Sequence, residues 1–129
     1  MSKLEGPEVA VRLARRAQDD ATAVREFIAN LEIIGFHAQQ AIEKWLKAVM
    51  ATRELREARI HDIGRLLQIL KNNGTQLPEV ADQLDELTIY AVPLRYDELL
   101  DSEPLDREAT LELVEKVSKW ADAQLQQAD

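Results

Sequence analysis

The sequence predicts an all-α fold, a bundle of about five helices forming one domain over residues 1–129. Three observations carry that prediction. Apolar residues recur every three or four positions through most of the chain, the period of a helix that hides one face. Capping residues precede several of those runs, and Asn-Gly or Pro interruptions follow them. Four glycines and four prolines in 129 residues leave room for long helices and short connections, hence mostly antiparallel neighbours.

The first helix opens at Gly6-Pro7, where the missing N–H of proline costs nothing in a first turn. Val9, Leu13, Ala17, Ala21, Val24, Ile28 and Leu31 give its apolar stripe, and Arg12, Arg15, Arg16, Asp19, Asp20 and Arg25 its polar face. The second helix, from about Ile34 to Arg53, is apolar over more than half its circumference and is expected at the centre, with Trp45 in the core. A third starts near Asp62 as N-cap, buries Ile63, Leu66, Leu67 and Leu70, and stops at Asn72-Asn73-Gly74. A fourth runs from about Pro78 through Val80, Leu84, Leu87 and Ala91 to a kink or end at Pro93. After a polar loop from Asp97 to Pro104, the last helix begins with Asp106 as cap and buries Leu113, Val114, Val117, Ala121 and Leu125.

Composition narrows the function. A net charge of −8, from 16 basic and 24 acidic residues, argues against duplex DNA binding by the protein's own surface, because that affinity comes largely from neutralised phosphates. The absence of cysteine excludes disulfides and thiolate chemistry and suits a reducing compartment, so a cytoplasmic location is expected. No apolar run reaches the roughly 20 residues of a membrane span, and no signal-peptide core is present. With two histidines and no metal-ligand spacing, neither a metal site nor a cofactor is expected. Phosphate-loop and nucleophile-elbow patterns are also missing.

Three constellations remain. His37, Gln40, Lys44 and Lys47 are spaced three, four and three along the second helix and share one face, with Glu43 beside them. They could hold a phosphate or an acidic partner; the commoner meaning of such a stripe is a solvated helix face. His61-Asp62 reads as a site histidine or as a loop residue followed by a cap. Arg95-Tyr96, beside the Pro93 break, offers a guanidinium for phosphate or a partner for Asp97, Glu98 or Asp101.

Together these elements resemble the HEPN domain family. The run Phe36-His37-Ala38-Gln39-Gln40-Ala41-Ile42-Glu43-Lys44-Trp45-Leu46-Lys47-Ala48 is similar to the family's second-helix signature. His61-Asp62-Ile63 with Leu66-Leu67 resembles its His-Asp-Leu start of the third helix, and Arg95-Tyr96 its Arg-Tyr element after the fourth. The resemblance implies an up-and-down bundle that pairs into homodimers. It also implies either a metal-independent RNase of a toxin–antitoxin system, a nucleotide binder, or a small subunit paired with a minimal nucleotidyltransferase.

RNase members of the family carry an Arg, four to six residues, then a His. Here the window after Arg95 holds Leu100, Asp101 and Ser102, and no histidine follows anywhere. Cleavage of this kind needs a proton acceptor and a donor near neutral pH, which imidazole supplies and an ionised Asp101 does not. The expectation is therefore a non-catalytic or weakly active module that binds a nucleotide, RNA or a nucleotidyltransferase partner. Its polar site would comprise His37, Gln40, Lys44, Lys47, His61, Asp62, Arg95 and Tyr96. The alternatives are an RNase toxin working through His61 and Arg95, and a purely structural dimerisation partner.

Overall fold

A computed structural model of the chain describes residues 6–26, 31–55, 59–85 and 106–127. Among them lie five helices and no strand: α1 Pro7–Glu26, α2 Leu31–Thr52, α3 Ile63–Asn72, α4 Ala81–Leu84 and α5 Arg107–Gln126. The fold is the predicted all-α bundle. Ile28, the Leu87–Ala91 stretch, the Pro93 break, Arg95-Tyr96 and the Asp97–Pro104 loop lie outside the described residues.

Local chemistry sets the helix ends. Asp62 caps α3 by accepting the Arg65 N–H at 3.3 Å, and Asp106 caps α5 by accepting that of Ala109 at 3.1 Å. At the end of α3, Gly74 turns the chain at φ +87°, a left-handed conformation that strains any residue with a side chain. That lets Gly74 and Thr75 return their N–H groups to the Lys71 and Leu70 carbonyls. The same closure ends α2, where the Glu54 and Leu55 N–H groups reach the Ala51 and Met50 carbonyls. There the left-handed position is held by Glu54, at φ 59°.

Helix α2 is the centre of the bundle and packs against α1, α3 and α5. Ile34, Ala38, Ala41, Ile42, Trp45, Leu46, Ala48, Val49 and Met50 are all withdrawn from solvent along it. Ala17 and Ala21 face it from α1, Leu66 and Leu70 belong to the same core from α3, and Val114, Val117 and Ala121 from α5. Burying one such leucine or valine contributes about 1.5–3 kcal/mol, so the core rests on α2 having apolar residues on nearly every side. Trp45 is fully buried, as its place in the run predicts, whereas Trp120 is half-buried and its indole donates to the Gln76 carbonyl at 2.7 Å.

The helix directions depart from a strict alternation. α1 opposes α2, since Gly6 N–H meets the Ala51 carbonyl at one end while Asp20 meets His37 near the other. α3, however, starts beside the middle of α2, where His61 touches Glu43, and ends beside the α2 C-terminus, where Asn73 and Arg53 line one cleft. It runs in the same sense as α2, which the 53–62 connection is long enough to allow. α5 does likewise, reaching Arg53 through Gln124. The C-termini of α2, α3 and α5 consequently meet at one end of the molecule.

Candidate functional site

Two carboxylates organise the polar groups of α2. Glu43 is itself on α2, with its side chain only 5% exposed. It accepts Gln39 Nε2 at 2.9 Å, Lys47 Nζ at 3.1 Å and His61 Nδ1 at 3.1 Å. Gln39 is fully buried and uses its amide fully: Nε2 also donates to the His61 carbonyl at 3.3 Å, and Oε1 accepts from Gln40 Nε2 at 2.9 Å. A chain of hydrogen bonds therefore runs from Gln40 through Gln39 and Glu43 to His61, tying α2 to the start of α3.

The second centre is Asp20, which reaches across from α1. Its carboxylate takes Lys44 Nζ on Oδ2 and His37 Nδ1 on Oδ1, the latter at 3.0 Å. Phe36 meets the His37 ring edge-on, with ring centroids 5.5 Å apart. Periodicity predicts Asp20 on the outer polar face of α1. It is instead buried, because it sits between Ala17 and Ala21, the residues that turn toward α2. An aspartate there is tolerable only with a cation opposite, and Lys44 supplies it.

The stripe of four side chains thus divides in two. His37 and Lys44 belong with Asp20 on the α1 side, while Gln40 and Lys47 belong with Glu43 on the α3 side. Among the described residues each lysine faces a carboxylate, Asp20 for Lys44 and Glu43 for Lys47. Asp62 is engaged in capping α3. Arg95 and Tyr96 lie outside the described residues.

His61 is the most open member of the group. Its side chain is 60% exposed, and Glu43 holds Nδ1. Nε2 has no partner among the described residues. An imidazole oriented at one nitrogen by a buried carboxylate and open at the other can accept or donate a proton, or bind a phosphate oxygen once protonated. Among the described residues, no three His, Cys, Asp or Glu side chains are grouped to hold a metal, and no helix is long and apolar enough to cross a membrane.

Sequence reasoning placed Glu43 beside the stripe but did not make it the hub, and it missed Asp20. A carboxylate inside an apolar helical stripe was the available signal for Asp20. The buried Gln39 had only its neighbourhood to Gln40 and Glu43 to announce it.

Fold and site together define an all-α bundle whose central helix carries a buried, carboxylate-organised polar face. Residues 10–124 match the sequence model of the HEPN domain, and the chain belongs to that family of nucleotide-binding and RNase-type modules. Comparison with curated proteins and with solved structures gives no match.

Proposed function

We propose that this HEPN domain is a binding module rather than a nuclease, serving as the non-catalytic or weakly active subunit of a nucleotidyltransferase or toxin–antitoxin type of system. Its ligand is a nucleotide or RNA phosphate, or the surface of a protein partner, met by Lys44, Lys47 and His61, with Arg95 the further residue that the sequence resemblance nominates. The observation that supports this most is the Gln40–Gln39–Glu43–His61 network, which fixes polar groups on a buried frame and leaves His61 open. The absence of a histidine after Arg95 argues against the family's usual cleavage chemistry.

A second reading is favoured by the same Glu43–His61 pair: an RNase in which His61 replaces the missing histidine and Arg95 stabilises the phosphorane. One set of measurements separates the two. Labelled ATP analogue and RNA are titrated against the wild type and a Lys44→Ala/Arg95→Ala variant, and RNA integrity is followed in parallel. We expect binding at least about tenfold weaker in the variant, equivalent to roughly 1.4 kcal/mol, with intact RNA throughout. Equal binding by both proteins, or none by either, would remove the proposed face. Cleavage abolished by His61→Ala would establish the nuclease instead.

A further inference from the structure

The end of the bundle where three helix C-termini converge contains a cleft of about 240 Å³, lined by Arg53, Asn73, Gly74, Thr75, Gln76, Gln124 and Gln127. It is separate from the polar face of α2. From His61 to Asn73 the chain climbs the whole of α3, roughly 15 Å at 1.5 Å per residue. Among the described residues no carboxylate lines it, in a chain of net charge −8.

Arg53 and Gln124 give the cleft its character. Arg53 donates Nη1 to the Thr52 hydroxyl at 2.9 Å and the Val49 carbonyl at 3.4 Å, and Nη2 to Gln124 Oε1 at 2.6 Å. A guanidinium has five N–H donors and no acceptor, so Nε–H and one Nη2–H remain without a partner among the described residues. Gln124 is 7% exposed. Because arginine can only donate, the Gln124 oxygen must face it and the Gln124 amide nitrogen must face away. That nitrogen has no acceptor among the described residues, although the side chain lines the cleft. An amide whose N–H groups open onto the cleft, beside a guanidinium with two of its five N–H groups unpartnered among the described residues, offers a set of donors to an acceptor.

The converging helix ends oppose an anion, each C-terminus carrying about half a negative charge. Three things offset this. The last carbonyls of α2 and α3 are taken up by their closing turns, the N-terminus of α1 abuts the α2 end through Gly6, and Arg53 carries a full charge. What is left is a nearly neutral cleft that offers donors.

We propose that this cleft binds an oxyanion, a carboxylate or a phosphate group, with Arg53 and Gln124 donating to its oxygens. The bidentate geometry of guanidinium suits either group. Burial pushes the Arg53 guanidinium below its ordinary value, which favours an anion that shares its charge, while leaving it protonated. The volume admits a small molecule and excludes a folded partner.

Sodium acetate and inorganic phosphate, titrated separately into ¹⁵N-labelled full-length protein at constant ionic strength, test the proposal. Saturable shifts of the Gln124 side-chain amide and the Arg53 Nε–H are expected. The affinity read from the Gln124 shift should weaken at least about tenfold in Arg53→Met. Gln127→Glu leaves the core alone, since Gln127 is exposed. It should weaken binding as well, by putting a carboxylate in the cleft, and it decides the matter should Arg53→Met fail to fold. Response to phosphate alone, acetate alone or both assigns the ligand's head group. Absence of saturable shifts in the wild type, or identical shifts in wild type and Gln127→Glu, overturns the proposal. Neither outcome bears on the α2 face.

Discussion

Replacing Glu43 with alanine is expected to destabilise the domain by about 3–5 kcal/mol, read as a lowered urea midpoint at unchanged slope. Three donors converge on that carboxylate, from Gln39, Lys47 and His61, and the first two belong to residues that are buried or nearly so. Removing the acceptor takes the Glu43 carboxylate from a nearly buried ammonium and leaves one N–H of the buried Gln39 amide without its acceptor, which costs more than the ion pair itself contributes. Glu43→Gln supplies the control. It keeps one oxygen for the donors but loses the charge, so its cost should fall to about 1–3 kcal/mol. If alanine and glutamine variants unfold at the wild-type midpoint, the network does not hold α3 to α2, and the frame on which the proposed function rests is wrong.

The second large effect concerns Trp45, and it runs differently for two replacements. Trp45→Ala should cost about 3–5 kcal/mol, the ordinary consequence of a cavity at the centre of a bundle. Trp45→Phe should cost less than about 1.5 kcal/mol. The indole N–H is buried with no acceptor among the described residues, and a donor in that state is itself a penalty of about 1–3 kcal/mol. Phenylalanine loses part of the packing and removes the penalty with it. Equilibrium unfolding of both variants checks the pair. A Phe variant as unstable as the Ala variant would mean that the indole nitrogen is satisfied.

The parts of this fold that were legible in advance are those governed by a few consecutive residues. Asp62 and Asp106 were readable as caps, and Gly74 as a terminator, because the chemistry they perform is completed within four positions. The central place of α2 was readable because a helix with apolar residues on nearly every side has nowhere else to go. The site was less transparent. Lys44 and Lys47 were visible as cations, but whether they point at ligand or carboxylate depends on α1 and on a neighbour one turn away. Asp20 was misplaced because a single residue at the margin of a stripe can rotate to either side. The direction of α3 could not be read at all. It follows from contacts such as His61 with Glu43, between residues distant in sequence, and no local signal encodes that. Nor could the Arg53 cleft be anticipated, being assembled from three chain segments far apart in sequence.

The position of α2 has a consequence for how the chain assembles. Its contacts with α1 join segments adjacent in sequence, so this hairpin closes early and at little entropic cost. Its contacts with α5 join segments far apart in the chain, and until they form the core lacks Val114, Val117 and Ala121. Pulse-labelling hydrogen exchange during refolding should find amides of α1 and α2 protected before those of α5; simultaneous protection would contradict that order. On a ribosome the hairpin would emerge long before its last neighbour, a sticky half-molecule whose safest companion is another protein able to shield it.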